Sequence, residues 1–341
     1  SFSKELFSAI KFLSARGCAA LKEGQHHLGK YIVKRLFAMA LTLFIIITIS
    51  FFAIRMIPGD VLGEGANPEL RAAMRARYHL VEQYAIFLRN FLSFDFGESI
   101  TLYPRRPVFE IMAEKIPMTL VLNIFSLIIT IPIGIACGII AALKKNTLAD
   151  NAISTMVVIN VSVPSFVFAS LLQYFFAYKL GWFPILLNLK AAFMSPAQLW
   201  SMILPVLALS FGGIATIARY MRAELFEALG SEYMLLARAK GLTQMQATVR
   251  HALRNSFIPL CNIIVPMFMN VLGGSVVVER IFNIPGLGSL MTGSISTSDY
   301  YLTIAILFVY SLINLASVLL VDLSYGIVDP RIRMGGGKTR E

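Results

Sequence analysis

The sequence predicts an all-α integral membrane protein with six transmembrane helices. Three observations favour this fold class: 57% of the 341 residues are hydrophobic, only 14% are charged, and the apolar residues form long uninterrupted runs. A soluble domain usually carries about 25% charged residues. A helix needs about 20 mainly apolar residues to cross the hydrocarbon core of a bilayer. A membrane β-barrel would show short alternating runs instead, so the continuous runs favour helices.

Six runs of the sequence are long enough to span a membrane. The stretch "IRMIPGD" ends the first run, because Pro58 and Gly59 break helices. Pro164 lies inside the third run and predicts a kink there, because proline removes a backbone hydrogen bond. The six predicted spans are 36–54, 118–143, 153–178, 202–218, 257–278 and 302–321.

The distribution of Lys and Arg predicts the orientation of the chain. The segments on one side (1–35, 143–150, 219–256 and 322–341) carry 19 Lys and Arg, and the two short segments on the other side carry 3. The long segment 55–117 counts little, since long loops cross membranes largely regardless of charge. Both termini are therefore predicted to be cytoplasmic. The net charge of +11 fits this orientation and an attraction to anionic lipid, and no nucleic-acid partner is expected.

The spans define a predicted division of the chain. Residues 1–30 are expected to form an N-terminal amphipathic extension, because apolar residues recur at helical spacing between lysines; an unstructured tail is the alternative. Residues 31–334 form the predicted transmembrane domain, and 335–341 a flexible tail. The outside loop 58–117 is expected to hold two short helices, at 68–78 and 81–92. Residues 219–256 form a predicted cytoplasmic loop within this domain.

This cytoplasmic loop contains the signals of two short helices. Ser231 and Glu232 are typical of a helix start, Gly241 of a helix end, and Thr243 with Gln246 of a capping box. An ordinary hairpin, a DNA-binding helix-turn-helix and a docking element for another protein are the three interpretations. The small residues Ala237, Ala239 and Gly241 favour docking, because another surface could approach them closely.

Several stretches of the sequence resemble the permease subunits of ABC importers, in the form found in dipeptide and oligopeptide permeases. The most specific are "ARAKGL" and "RHALRNSFIPL", which resemble the "EAA" cytoplasmic loop of that family. Leu235 and Leu236 stand where the general importer motif has Glu and Ala, and Arg254 stands where it has proline. The resemblance runs from residue 31 to 333 and includes "QYAIFLRNFLSFDFGESI", "RRPVFEIMAEKIPMTLVL", "VVVERIFNIPGLGSLM" and "VDLSYGIVDPRIR".

The resemblance implies a type I ABC importer permease fold in a bacterial inner membrane. It also implies four kinds of partner: a second homologous permease, two cytoplasmic ABC ATPases that bind ATP and Mg, an extracytoplasmic peptide-binding protein, and membrane lipid. The residues that it places against an ATPase are Glu232, Tyr233, Leu236, Ala237, Arg238, Ala239, Lys240, Gly241 and Leu242.

No catalytic, cofactor-binding or metal-binding residue is predicted in the chain itself. The stretch "MGGGKT" ends like a phosphate-binding loop, but Ile332 stands where that motif requires its first glycine. The four histidines, His26, His27, His79 and His251, show no metal-ligand spacing. The chain is therefore expected to be a non-catalytic subunit of an ATP-hydrolysing complex.

Two alternative functions remain open at this stage. An ion-gradient-driven secondary transporter usually places ionisable residues near the membrane midplane, whereas the spans here hold mostly neutral amides. An importer of the same family could also carry nickel chelates or other small solutes. The amides predicted to line the pore are Asn123, Asn160, Gln173 and Asn270, with hydrogen bonding between helices as the alternative role.

Overall fold

The computed structural model describes residues 33–53, 80–269 and 275–328. Within these ranges the backbone forms helices and their connections, with one isolated antiparallel bridge between Glu98 and Pro107. The predicted helix at 68–78, the amphipathic extension 1–30 and the tail 335–341 lie outside the described residues. The predicted helix at 81–92 is confirmed as a helix over Leu80–Leu92.

Twelve helices follow one another along the described residues. The first six are α1 (Val33–Ala53), α2 (Leu80–Leu92), α3 (Val108–Leu143), α4 (Leu148–Ser162), α5 (Ser165–Leu172, continued by a π-helical turn at Gln173–Lys179) and α6 (Pro196–Leu229). The others are α7 (Glu232–Ala239), α8 (Gln244–Ala247), α9 (Leu253–Met269, joined to α8 by a π-helical turn at Thr248–Ala252), α10 (Val276–Ile281), α11 (Leu287–Ser296) and α12 (Tyr300–Val328).

Four of these helices are long and apolar enough to cross a membrane: α1, α3, α6 and α12. They contain the first, second, fourth and sixth predicted spans. The helix α3 begins at Val108 rather than at residue 118, and α6 continues to Leu229 rather than ending at 218. The reason is that hydropathy marks only the apolar part of a helix. The backbone stays helical until Pro107 at one end and Gly230 at the other.

The third predicted span is broken rather than kinked. The helices α4 and α5 meet at an angle of 108°, and together they form a fifth candidate span if the bent pair is counted as one. Val163, before the proline, is extended at φ −94° and ψ 122°, because a following proline disfavours helical backbone. Pro164 is itself extended and begins α5.

The fifth predicted span, 257–278, also differs. In the described residues α9 ends at Met269, and Ser275 is extended at φ −122° and ψ 98°, so that α10 starts as a separate helix. Residues 270–274 lie outside the described ranges. The count of six spans therefore stays a prediction.

The centre of the fold is the close packing of α3 against α6. A Cβ atom added to Gly134 would lie 2.8 Å from Ile217 Cβ, and one added to Gly138 would lie 2.6 Å from Met221 Cβ. Two glycines four residues apart allow such an approach of helices in membranes. Ser210 Oγ also donates a hydrogen bond to the Ser126 carbonyl at 3.2 Å. Both helices therefore run in the same direction. The contact with α3 fixes the position of α6 along this length.

Candidate docking surface

The helix α7 begins one tight turn after α6 ends. Ser231 precedes α7 with extended backbone, φ −77° and ψ 155°, so the predicted start is confirmed. Its side chain, however, accepts no capping hydrogen bond from α7; the hydroxyl donates to the Ala228 carbonyl at 2.6 Å. That carbonyl lies in the last turn of α6, where backbone acceptors lack a helical partner. The predicted capping role of the Ser231 side chain is therefore wrong.

The other end of α7 stops where the sequence predicts. Gly241 has φ +89°, in the left-handed region that favours glycine. The Gly241 N–H donates to the Arg238 carbonyl at 2.9 Å, and the Leu242 N–H donates to the Ala237 carbonyl at 3.3 Å. These two bonds form a Schellman motif and satisfy carbonyls that the helix leaves open.

The next helix, α8, starts with the predicted capping box. The Gln246 N–H donates to Thr243 Oγ1 at 3.3 Å, and the Thr243 N–H donates to Gln246 Oε1 at 3.1 Å. Such reciprocal bonds satisfy two donors at a helix start. The helical pair α7–α8 is thus closed at its turn by contacts between near neighbours in the sequence.

One face of α7 is buried in the chain itself. Met234 and Ala237 pack with Leu225 of α6 and with Ala247 and Ala252 beyond the turn. Ala237 was expected to face a partner protein, but only 7% of it is exposed. The reason is that positions 234 and 237 share one side of a helix, so burial of Met234 also buries Ala237. Its small size permits close packing within this chain.

The opposite face of the pair is apolar and exposed. We call it the α7 patch; it consists of Tyr233, Leu235, Leu236, Met245 and Val249, which are 39%, 65%, 61%, 67% and 52% exposed. Glu232, Arg238, Ala239, Lys240 and Gly241 are also exposed beside it, and Leu242 is half-buried. Three patch members, Leu235, Met245 and Val249, were not among the residues expected to contact a partner. Only Leu235 had a signal in the sequence, as an apolar residue beside the charged residues of α7.

The predicted pore-lining amides have different environments. The Gln173 side chain donates to the carbonyls of Ile185 and Ile281, at 2.8 and 3.2 Å, and so ties separate segments together. Asn123 donates to the Thr119 carbonyl of its own helix at 2.8 Å. Asn160 is half-buried on α4. Asn270 lies outside the described residues. A pore-lining role for these amides stays a prediction.

Comparison with known proteins identifies the family. The family model described as binding-protein-dependent transport system inner membrane component matches residues 134–334. The dipeptide transport system permease protein DppB of Bacillus subtilis (strain 168) is 36% identical over 313 residues, covering 90% of this chain and 99% of that protein. The oligopeptide transport system permease protein OppB of Haemophilus influenzae is 35% identical over 310 residues, covering 89% and 99%. The chain belongs to this family of transport-system inner membrane components.

The family resemblance inferred from the sequence motifs is confirmed by these matches. A solved structure described as the MetNI methionine ABC transporter in inward-facing conformations aligns with a TM-score of 0.47 at 19% identity, over 63% of this chain and 96% of that chain. In the part of the chain that the structure describes, no group of three or more His, Cys, Asp or Glu side chains is placed to hold a metal ion.

This inner membrane component carries a second, contrasting feature at the other end of α6. We call it the polar knot; it consists of the segments 97–107 and 275–299, which pack around two buried carboxylates. Asp299 accepts hydrogen bonds from Ser99 Oγ and from the backbone N–H groups of Thr101 and Leu102, the latter two at 3.1 Å. Asp299 thereby joins the start of α12 to the loop before α3.

The second carboxylate of the polar knot is Glu279. It accepts from Thr119 Oγ1 at 3.2 Å and from the Ser289 N–H at 2.9 Å, and it is fully buried. Burial raises the pKa of the Glu279 carboxyl above its usual value, while its hydrogen bonds act in the opposite direction. A Cβ atom on Gly286 would lie 2.5 Å from Glu279 Oε2, so glycine is needed for this approach. The local sequence around Glu279 does not predict this site, because Thr119 lies 160 residues away in the chain.

The polar knot and the α7 patch lie at opposite ends of the molecule. Thr119 of α3 contacts the knot, while Ala142, near the end of α3, packs in the cluster that holds α7. The starts of α3 and α12 meet in the knot through Ser99 and Asp299. A 34-residue helix such as α6 is about 50 Å long. That length is enough to separate two surfaces by the thickness of a membrane.

Proposed function

We propose that this chain is the pore-forming subunit of an ATP-driven importer of peptides, paired with a second homologous permease. The relatives DppB and OppB are named as permeases of dipeptide and oligopeptide transport systems, and this chain covers 99% of each. The observation that carries the mechanism is the α7 patch, an exposed apolar surface on a helix whose turn is closed by local hydrogen bonds.

The α7 patch has the composition of a protein interface. It is apolar and includes Tyr233, and the charged residues Glu232, Arg238 and Lys240 are exposed beside it. Aromatic and apolar centres with polar rims are typical of sites where proteins bind one another. We assign it to one of two cytoplasmic ABC ATPases. The contact residues are those expected from the sequence, with Ala237 supporting the helix from behind and with Leu235, Met245 and Val249 added.

The direction of the helices supports an orientation with both termini in the cytoplasm. The starts of α3 and α12 both lie at the polar knot. These helices contain the second and sixth predicted spans, which should start on the same side of the membrane. The distribution of Lys and Arg predicts that this side is the outside. In this orientation the knot faces outwards. It is then the surface available to an extracytoplasmic peptide-binding protein, while the apolar sides of the helices face lipid and the second permease.

The same assignment makes this chain a non-catalytic subunit. In this assignment the ATPase subunits bind ATP and Mg. The stretch "MGGGKT" of this chain lacks the first glycine of a phosphate-binding loop and is not expected to bind ATP. When the ATPases close on ATP, they displace α7, and the rigid α3–α6 pair passes that displacement to the membrane spans. Alternating access follows if ATP and peptide favour different arrangements of the spans.

Reconstitution into liposomes tests the function. The chain is incorporated with its partner permease, both ATPases and the binding protein, and uptake of a radiolabelled dipeptide is measured with and without ATP. We expect uptake only with ATP and all subunits, and no ATP hydrolysis by the chain alone. Peptide uptake by the lone chain under an ion gradient would favour the secondary transporter. ATP-driven uptake of a labelled nickel chelate, with no uptake of the dipeptide, would favour the small-solute importer.

Cysteine labelling tests the orientation. In a chain without its native cysteines, Ser93→Cys lies after α2 and Lys144→Cys lies after α3, both at exposed positions. We expect a membrane-impermeant maleimide to label position 93 from outside intact cells and position 144 only after permeabilisation. The reverse pattern would contradict the proposed orientation.

A further inference from the structure

The start of α4, directly after the α3–α4 loop, is joined to α6 by an ion pair in which only the carboxylate is buried. Arg222 donates from Nε to Asp150 Oδ1 at 2.7 Å and from Nη2 to Asp150 Oδ2 at 3.0 Å. The Asp150 side chain is 3% exposed, whereas Arg222 is 38% exposed. A two-pronged contact of this kind fixes both distance and orientation, which a single hydrogen bond does not.

A second contact joins the same two elements one helical turn further on. Lys145 Nζ lies 3.8 Å from the centre of the Phe226 ring, a cation–π contact. Arg222 and Phe226 are four residues apart and therefore share one face of α6. The loop and the start of α4 thus contact α6 at two points along its axis, which restrains rotation as well as sliding.

The loop is also held internally. The Asn146 N–H donates to Asp150 Oδ2 at 3.0 Å, and Thr147 Oγ1 donates to the Lys144 carbonyl at 2.6 Å. Ser154 Oγ donates to Asp150 Oδ1 at 3.3 Å, from one turn further along α4. The carboxylate of Asp150 therefore connects three elements: the loop, the first turns of α4, and α6.

This ion pair lies between the α7 patch and the bent helices. Arg222 precedes the start of α7 by ten residues along continuous helix and one turn. Asp150 lies in the first turn of α4, which leads directly into the 108° bend with α5. Movement of α6 relative to α4 would separate a buried carboxylate from its cation, and this is strongly unfavourable.

We propose that Asp150 and Arg222 are positioning residues that transmit displacement of α7 to the bent pair α4–α5 during transport. This inference rests on the proposed function, because it needs an ATPase to displace α7. It adds a specific route. The end of α6 does not move independently; it carries the α3–α4 loop with it, and through Asp150 it turns α4 about the bend at Pro164.

The test measures how many peptides are imported per ATP hydrolysed in the reconstituted complex. Arg222→Gln keeps most of the side-chain volume and removes the charge. Arg222→Lys keeps the charge and removes the paired guanidinium contacts with Asp150. Phe226→Leu removes only the cation–π contact. The control is Arg89→Gln, the same change at an exposed arginine on α2.

We expect Arg222→Gln complexes to retain their ATPases and to hydrolyse ATP, with peptide import per ATP lowered roughly 5- to 150-fold, the range of coupling between distant sites. Arg222→Lys and Phe226→Leu should lower peptide import per ATP by less, and Arg89→Gln should leave it unchanged. The ratio is calculated per assembled complex, so Arg222→Lys and Phe226→Leu decide the question if Arg222→Gln fails to assemble.

Two results would overturn the inference. If import and hydrolysis fall together while their ratio is unchanged, the ion pair only stabilises the fold. If all three variants match the wild type, the pair has no role in transmission. Failure of the proposed function itself gives a different result, because the wild-type complex would then show no ATP-driven peptide import.

Discussion

The polar knot and the α7 patch differ in whether their side chains find partners within the chain. In the knot, two carboxylates are buried and accept hydrogen bonds from hydroxyl and backbone N–H groups of distant segments. In the patch, Leu235, Leu236 and Met245 are each more than 60% exposed, although the ends of the turn between α7 and α8 are fully hydrogen-bonded.

We propose that the chain completes the knot by itself, whereas another protein covers the patch. A buried carboxylate without donors is very costly, so the knot must be complete within the chain before the fold is stable. Exposed apolar side chains on a rigid support cost little in the fold and become favourable when a partner covers them. Substitutions in the knot should therefore affect stability, and those in the patch should affect assembly.

The largest expected effect is on the stability of the knot. Asp299→Ala removes the acceptor for Ser99, Thr101 and Leu102 and leaves one buried hydroxyl and two half-buried N–H groups without it. We expect the free energy of unfolding to fall by about 3 kcal/mol, since each buried unpaired donor costs on the order of 1–3 kcal/mol. Denaturant titration of the purified protein in detergent measures the loss.

Asp95→Ala is the matched control for this substitution. The Asp95 carboxylate is exposed and accepts one hydrogen bond, from the Gly97 N–H at 2.9 Å. Its removal should change the free energy of unfolding by no more than about 0.5 kcal/mol, as is usual at the surface. Equal losses for Asp299→Ala and Asp95→Ala would remove the distinction between the knot and an ordinary surface loop.

The second effect is on assembly through the patch. Leu236→Glu places a charge at the centre of the proposed interface, on a side chain that is 61% exposed. We expect binding of the ATPase to weaken by about 2 kcal/mol or more, roughly 30-fold, as for central interface residues. Co-purification at several ATPase concentrations measures this loss, while the melting temperature of the isolated chain should stay unchanged.

Leu92→Glu provides the comparison for the patch. Leu92 ends α2, far from α7 in the chain, and is 76% exposed. The same substitution there should leave ATPase binding intact. If Leu236→Glu instead lowers the melting temperature of the isolated chain and leaves ATPase binding intact, the patch is part of the fold and not an interface.

The smallest effect concerns the support of the patch. Thr243→Ala removes the hydroxyl that accepts the Gln246 N–H, and losing a helix cap costs about 1 kcal/mol. We expect faster amide hydrogen exchange over residues 243–248 and a modest loss of ATPase affinity. Thr216→Ala, whose hydroxyl only donates back to the Gly212 carbonyl of its own helix, should leave this exchange unchanged. Unchanged exchange in Thr243→Ala would show that the capping box does not stabilise the start of α8.

The features that sequence reasoning placed correctly depend on near neighbours. Gly241 and the pair Thr243 and Gln246 act within one turn of their own positions, so their residue types are sufficient to predict them. The apolar parts of α1, α3, α6 and α12 could also be predicted, because the length of an apolar run is a property of the local sequence. Family membership followed from short motifs in the expected order.

The features that sequence reasoning missed depend on distant contacts. Ser99 and Asp299 are 200 residues apart, and Thr119 and Glu279 are 160 residues apart, so their pairing has no local signal. The burial of Ala237 depends on how α7 settles on α6 and α9. The bend at Pro164 was expected, but its size of 108° depends on what packs against α4 and α5.

We propose that the α7 patch contacts an ATPase. The most direct measurement is cross-linking from a photoreactive amino acid at position 236 in the assembled complex, with position 92 as the comparison site. We expect a covalent adduct with the ATPase from position 236 and none from position 92. Adducts from position 236 that form only within this chain or with lipid, while the ATPase stays bound to the complex, would contradict it.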